Sequence, residues 1–382
     1  MSVRFLTAVS GRAFNMRDRF GREIDYMRIS VIDSCNLNCY YCNPQDNNKK
    51  CQAINILSVK KVLCIVRAAT RLGITHFRLT GGEPLLHPQL DEMVLQIKKI
   101  SGVSSVSLTT NAVLLAQHAK WLKEAGIDSI NVSLDTIDAS EYERITKKPL
   151  LEEVKHGINA AIECGIRVKI NVVLTPQTDV VALTRYVAKK GTDIRFIEMM
   201  PVGEGHTNGV EPYKKVIGTL SKLYGEPCRI NTEKTKEINS GNDKRKIPDN
   251  GPAEYYIFPE LGIRVGLIQA IHGKFCDTCN RIRVTADGRL MPCLGSSVTM
   301  DLVPDSWDFA DDAEKDFSIV RALRAAIKAK PRCHNFNDNA VTYTKTTETK
   351  TTEIEAAEVN AARNMSRIGC LLYTSPSPRD GL

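Results

Sequence analysis

The stretch DYMRISVIDSCNLNCYYC, Asp25 to Cys42, decides how this chain is read. Its first ten residues, Asp25–Ser34, place apolar Met27, Ile29 and Val31 on one parity and polar Arg28 and Ser30 on the other, the two-residue period of a β-strand. The strand runs directly into Cys35-Asn-Leu-Asn-Cys39-Tyr-Tyr-Cys42, a CxxxCxxC. That spacing supplies three thiolates to one iron–sulfur cube and leaves the fourth iron without a protein ligand, open to a small molecule. A zinc loop that borrows a distant fourth ligand is the competing reading of the triplet.

Outward from this stretch, strand and helix patterns alternate to about residue 225. The further strands are Thr75–Thr80, Ser105–Asn111, Ser129–Asp135, Arg167–Leu174 and Asp193–Met200, with helical patterns between them such as Val59–Leu72, N-capped by Ser58 and C-capped by Gly73. Alternation of this kind implies a parallel sheet, and six repeats fit a partial (β/α) barrel. A parallel strand buried between helices is apolar on both faces. These strands are two-faced, and their polar parity includes Arg28, Arg78, Lys169 and Arg195. Such a pattern suits a barrel around a wet chamber, with the four cations aimed at a polyanion; the alternative is strand-end charges that reach solvent.

The bulk numbers set boundaries. The chain has 382 residues, a net charge of +8 and twelve cysteines. It lacks an apolar run of membrane-spanning length and any basic block interleaved with aromatics, so membrane and nucleic-acid roles have no support. Residues 1–17 contain Arg4, Arg12 and Arg17 and no acid, a faint presequence character. Six cysteines fall in two tight clusters and no secretory signal is present, which favours metal binding in a reducing compartment over disulfides. Of the others, Cys51, Cys64, Cys164, Cys228 and Cys333 read mostly as buried core thiols, and His87 and His118 as surface residues. After residue 228 the character changes. Asn231–Pro252 reads as a polar linker; short strands Glu254–Phe258 and Ile263–Ala270, a hairpin at Thr285-Ala-Asp-Gly-Arg289 and a helix at Ala313–Ala329 follow.

Two further constellations carry chemistry. Thr80-Gly-Gly-Glu-Pro84 closes the second strand, and its paired glycines allow close approach to the backbone. Phe275-Cys276-Asp-Thr-Cys279-Asn-Arg281-Ile-Arg283 contributes a CxxC, and Cys293 follows with thirteen residues between. A zinc ribbon completed by Cys333 or His272 is one reading; Arg281 and Arg283, alternating on a strand and suited to phosphate, favour another. The CxxxCxxC followed by Gly81-Gly82-Glu83-Pro84 resembles the radical S-adenosylmethionine superfamily. With Phe275–Cys293, Asp18-Arg-Phe-Gly-Arg22, Leu108–Asn111, Asn131–Asp135, Ile194–Met199 and Ile263–Ile268, the chain from about Asp18 to His334 resembles the GTP 3′,8-cyclase family within it.

The resemblance implies a partial (β/α)6 TIM-type barrel (18–228) closed by a smaller C-terminal α+β domain (229–342) that carries a second cluster. Residues 1–17 would be an N-terminal extension, 343–370 a C-terminal tail and 371–382 a non-native tail. It implies two [4Fe–4S] clusters, one on Cys35, Cys39 and Cys42 and one on Cys276, Cys279 and Cys293. Tyr41, Gly82, Ser133 and Met200 would contact S-adenosylmethionine. Arg28, Arg78, Thr109, Lys169, Arg281, Ile282 and Arg283 would contact GTP, with Arg28, Arg195, Arg281 and Arg283 in catalytic roles. The implied reaction removes the hydrogen at ribose C3′ of GTP and joins C3′ to C8 of guanine, the first step of molybdenum cofactor biosynthesis. An electron donor such as flavodoxin or ferredoxin, delivery of product to cyclic pyranopterin monophosphate synthase, a monomer or homodimer, and a cytoplasmic location (or the mitochondrial matrix, were residues 1–17 a presequence) complete the expectation. The chain departs from the family pattern at Ile32, Ser34 and His76, and it carries Cys370 where the family ends in Gly-Gly. A radical peptide-modifying enzyme with an auxiliary cluster, and a non-catalytic zinc-bound scaffold, are the alternatives.

Overall fold

A computed structural model describes residues 16–42, 54–201, 210–230, 251–296, 298–302, 312–334 and 336. The extension before Met16, Cys51, nearly all of the polar linker and both tail segments lie outside the described residues. Strands β1 (Tyr26–Ser30), β2 (His76–Thr80), β3 (Ser105–Thr110), β4 (Ser129–Ser133), β5 (Val168–Val173) and β6 (Asp193–Ile197) pair in sequence order, all parallel. Helices α1 (Val59–Arg71), α2 (Leu90–Lys98), α3 (Leu115–Glu124), α4 (Ala139–Thr146), α5 (Leu151–Glu163) and α6 (Val180–Lys189) lie between them in the chain. The capping read from sequence is present at α1, where Ser58 Oγ accepts from Lys61 N. The C-cap is Leu72, one position earlier than expected, and Gly73 after it supplies the left-handed turn at φ +84°.

The first strand stops at Ser30, earlier than its pattern suggests. Val31 still donates to Thr80 O, but Ile32–Ser34 then turn to meet the glycines after β2. The remaining elements are α7 (Gly218–Tyr224), β7 (Cys228–Arg229), β8 (Glu254–Ile257), β9 (Arg264–Ile268), β10 (Arg281–Val284), β11 (Arg289–Met291), β12 (Met300–Asp301) and α8 (Asp312–Ala329). Here the sheet differs from expectation. The C-terminal strands are continuous with the six repeats: β9 adds parallel to β6, and β10 adds parallel to β1. The sheet order is β12-β11-β10-β1-β2-β3-β4-β5-β6-β9-β8-β7, so eight parallel strands are flanked by an antiparallel pair at each edge.

Register separates the two faces. Met27, Ile29, Phe77, Leu79, Val106, Leu108, Ile130, Val132, Ile170, Phe196, Val265 and Ile282 lie in one apolar core. That core also takes in Val62, Ile65, Met93, Leu122 and Ile158 from the helices, so it sits between sheet and helices. The opposite parity is polar and equally buried. Arg28, Arg78, Lys169 and Arg195 are each 8% exposed or less, which removes the reading of strand-end charges in solvent. Among the described residues no helix is long and apolar enough to cross a membrane.

Candidate functional site

The first cysteine loop is held by a backbone clamp. Gly82 N donates to Ile32 O at 2.7 Å and Glu83 N to Ser34 O at 2.8 Å, one residue short of Cys35. A Cβ at Gly81 would stand 2.5 Å from Ile32 O, and one at Gly82 would stand 2.1 Å from Ser34 O. The close approach inferred for the paired glycines is therefore made by the cysteine loop itself. Glu83 is fully buried and accepts from Thr110 Oγ1 (2.7 Å), Asn111 N (2.7 Å) and Leu85 N (3.0 Å). Burial pushes its carboxyl up to about 7, against the pull of those three donors. Pro84 begins a short 3₁₀ turn, so this edge is stiff.

Beyond the clamp, Asn111 Nδ2 donates to Asn36 Oδ1 at 2.7 Å and faces Cys35 Sγ at 3.8 Å. Backbone donors Asn38 N and Tyr40 N bond to Thr146 O and Ile145 O at the end of α4. Cys35, Cys39 and Cys42 gather in one small cluster with Leu37, Tyr41 and Ile145. Burial raises the Cys35 thiol to about 12, with the Glu83 carboxylate adding to the effect, and burial also raises Cys39. Metal must displace protons from these sulfurs. Tyr41 OH donates to Asp135 Oδ2, while Asp135 Oδ1 accepts from Val173 N at 2.8 Å. Burial lifts the Asp135 carboxyl to about 6, opposed by both donors. Cys39, Tyr41, Asn111, Ser133, Asp135 and Tyr142 line part of one small pocket.

The second set opens on a 3₁₀ turn, Cys276–Thr278, where Cys279 N donates to Cys276 O at 3.1 Å. Strand β10 follows, then the turn with Gly288 at φ +80°, then β11, which delivers Cys293. Burial raises Cys276, and Cys293, Cys279 and Cys333 contribute as neighbouring thiolates. Burial alone would raise Cys279 as well. The Arg281 and Lys330 charges outweigh it and bring the thiol down to about 7. Arg22, itself paired with Asp18 at 2.6 Å, donates to Cys276 O, Pro331 O and Arg332 O and ties the turn to the segment after α8.

Neither triplet forms a cage for one ion. Among the described residues no three His, Cys, Asp or Glu side chains are placed to hold a single metal ion. His272, a candidate fourth zinc ligand, is engaged through Nδ1 by the buried Glu198, and Cys333 is exposed.

Between the two triplets lies the cationic face. Register aligns Arg283, Arg28, Arg78 and Ser107 in one row, and Arg281, Tyr26 and His76 in the row below. Thr109, Asn131 and Lys169 share a row on the same face, as do Asn171 and Arg195. Adjacent strands are about 5 Å apart, so three guanidinium groups start from backbone positions spanning about 10 Å. Tyr26 records their field. Burial would raise its phenol, but Arg78, Arg28 and Arg281 bring it below its ordinary value. Arg78 is steered by Tyr26 OH, Leu108 O and Thr109 Oγ1, and Arg195 by Asn171 Oδ1 at 2.8 Å. Gly266 makes room for Arg195, since a Cβ there would lie 2.7 Å from Arg195 Cγ.

Of the residues expected from sequence, Tyr41 and Ser133 meet in the cavity beside Cys39. Gly82 lies behind the loop, and Met200 packs with Ile197, Ile268, Met291 and Phe336 on the side of the second triplet. Ile282 points into the apolar core. His87 is a correction: it is buried, with Nε2 on Leu57 O and Nδ1 accepting from Gln89 N, an anchor for the chain that leads into α1. Cys64 and Cys164 pack against the core, but Cys228 and Cys333 are exposed and are not core thiols. Sequence reasoning gave no role to Asn111, Asp135, Arg22 or Lys330. The first two carry a signal, since both are polar residues within two positions of a strand's C-terminal end, on the parity of the cations.

Comparison with known proteins identifies the family. Residues 29–182 match the radical SAM superfamily and residues 192–336 match Molybdenum Cofactor Synthesis C. The GTP 3′,8-cyclase of Alkaliphilus oremlandii is 35% identical over 329 residues, 84% of this chain and 94% of that one. The GTP 3′,8-cyclase of Pelotomaculum thermopropionicum is 36% identical over 327 residues (84% and 95%), and that of Peptoclostridium acidaminophilum 37% over 328 (84% and 94%). Among solved structures, Streptococcus suis SuiB bound to S-adenosylmethionine shares the fold at a TM-score of 0.52 and 14% identity, covering 78% of this chain and 68% of that one.

Proposed function

The chain belongs to the GTP 3′,8-cyclase family of radical SAM enzymes, and from that premise we propose that it converts GTP to (8S)-3′,8-cyclo-7,8-dihydroguanosine 5′-triphosphate, the entry reaction of molybdenum cofactor biosynthesis. The family's cofactors are [4Fe–4S] clusters and S-adenosylmethionine. In our reading Cys35, Cys39 and Cys42 hold one cluster, Cys276, Cys279 and Cys293 the other, and the sheet curls as a partial barrel around the substrate. Held by Cys35, Cys39 and Cys42, a reduced cluster would supply the one electron that splits bound S-adenosylmethionine into methionine and the 5′-deoxyadenosyl radical.

The observation that carries this reading is the position of the cationic rows. Strand β10 begins two residues after Cys279 and pairs along β1, which ends five residues before Cys35. Arg281, Arg283, Arg28 and Arg78 therefore stand between the two triplets, where a triphosphate would be gripped with its ribose toward the first cluster. Like charges placed opposite one another destabilise a sheet, and a polyanion reverses that cost. Tyr41 and Ser133 line the S-adenosylmethionine cavity in this account, with Asp135 fixing the Tyr41 ring. Gly82 acts through the loop it supports, and Met200 contributes from the wall nearer the second cluster. Thr109 and Lys169 bind GTP from the β3–β5 rows, Ile282 through its backbone. Arg195, Arg281, Arg283 and Arg28 hold the nucleotide and, once the C3′–C8 bond has closed the ring, would deliver the proton that accompanies one-electron reduction of the remaining nitrogen radical. A flavodoxin- or ferredoxin-type donor supplies electrons, and cyclic pyranopterin monophosphate synthase takes the product.

Anaerobic incubation of the iron-loaded protein with S-adenosylmethionine and reductant tests this reading. Cleavage of S-adenosylmethionine is expected to depend on GTP and to yield a product isomeric with it. Cleavage at the same rate with GTP omitted, and no isomer formed, would remove GTP as the substrate.

A further inference from the structure

Lys330, the residue after α8, is 2% exposed. Its ammonium donates to Arg281 O at 2.8 Å and to Pro292 O at 3.0 Å, and it lies close enough to Cys279 for its charge to act on that thiol. Those carbonyls are not arbitrary. Arg281 begins β10 two residues after Cys279, and Pro292 immediately precedes Cys293. One cation thus joins the two arms of the hairpin that carry these cysteines. Its hydrogen-bond partners among the described residues are two neutral carbonyls, and neither is a carboxylate. A buried ammonium without a counter-anion is costly. Three thiolates gathered on a cluster would provide the missing negative charge.

We propose that Lys330 is a positioning residue for the second iron–sulfur cluster, holding the Cys279 and Cys293 arms in place and stabilising the negative charge collected on their sulfurs. This rests on the reading of Cys276, Cys279 and Cys293 as cluster ligands. Hydrogen bonds and positive charge at cluster sulfurs favour the reduced, more negative state, so Lys330 raises the reduction potential of this cluster. A lysine that only caps α8 would stabilise the fold without moving that potential.

The test uses the full chain with Cys35→Ala, Cys39→Ala and Cys42→Ala, so that only the second site is loaded. Iron and sulfide content and the midpoint from an EPR-monitored redox titration are compared for Lys330 and for Lys330→Gln, Lys330→Met and Lys330→Arg. The parent is expected to hold about four irons per chain. Lys330→Gln, which keeps donors and loses charge, is expected to retain most of the iron with its midpoint shifted negative. Lys330→Met should lose at least about half of the iron, in line with the tenfold or larger affinity losses typical of outer-shell changes. Lys330→Arg should return the midpoint toward the parent value. Should Lys330→Met fail to fold, the Gln and Arg forms carry the comparison. A Gln form with the parent's iron content and midpoint would overturn the proposal. A parent without any cluster would overturn the ligand assignment beneath it, a separate and recognisable failure.

Discussion

Replacement of Gly82 by Ala tests the backbone clamp. The new Cβ would stand 2.1 Å from Ser34 O, 2.4 Å from Ser34 C and 2.6 Å from Asp33 O, and all of these atoms are main chain. No rotamer relieves such a contact, so the loop must retreat by about 1 Å. The retreat breaks the 2.7 and 2.8 Å bonds that Gly82 N and Glu83 N make to this loop. Overpacking of this kind costs about 1–3 kcal/mol, and a misplacement of about 1 Å near reacting groups costs about 100-fold in rate. Gly82→Ala is therefore expected to lower the urea midpoint, to load the first triplet poorly while leaving the second loaded, and to cut 5′-deoxyadenosine formation about 100-fold. Gly218→Ala is the matched control. Nothing lies within 4 Å of a Cβ there and its φ is −61°, so it should be neutral or stabilising by about 0.4–1 kcal/mol. A Gly82→Ala protein with parental iron content and parental cleavage of S-adenosylmethionine would refute the clamp.

Three other substitutions probe different layers. Arg22→Met strands the buried Asp18 carboxylate and the carbonyls of Cys276, Pro331 and Arg332, and should destabilise the chain by about 3–5 kcal/mol in urea unfolding; a loss below about 1 kcal/mol would deny Arg22 that anchoring role. Glu83, whose folded carboxyl is raised to about 7 from 4.5, binds more protons folded than unfolded across that window. Its contribution to stability therefore falls as pH rises from about 4.5 to 7 and is level above, a difference of about 3 kcal/mol that Glu83→Gln should flatten. Identical pH slopes for the two proteins would count against a buried, titrating Glu83. Arg28→Met removes the middle cation of the Arg283–Arg28–Arg78 row. The kcat/KM for GTP should fall about thirtyfold, the worth of about 2 kcal/mol of charge-assisted bonding; an unchanged kcat/KM would place the triphosphate elsewhere.

Much of the sheet was legible because its signal is local. A two-residue period in Tyr26–Ser30 or Val168–Val173 is set by side-chain direction alone, and register then preserves the polar parity across strands. The cationic face could be read from Arg28, Arg78, Lys169 and Arg195 for the same reason. Partner choice between distant segments is not local. Nothing within Arg281–Val284 states that it will extend β1, so the pairing that makes the sheet continuous was not foreseen. The anchors were hidden for a related cause. Arg22 and Lys330 act on main-chain carbonyls 254 and 49 residues away, and a carbonyl leaves no residue type for a pattern to detect. At Gly81-Gly82 the need for bare backbone was legible, but not whether a ligand or the chain itself would fill the space.

In the proposed reaction a nucleotide held by the cationic rows presents its ribose C3′ to the adenosyl radical formed beside the first triplet. Turnover with GTP deuterated at C3′, followed by mass analysis of the 5′-deoxyadenosine, tests it directly. Deuterium in the 5′-deoxyadenosine is the predicted result. Unlabelled 5′-deoxyadenosine from fully iron-loaded protein would contradict it, because the radical would then form without GTP C3′ as its target.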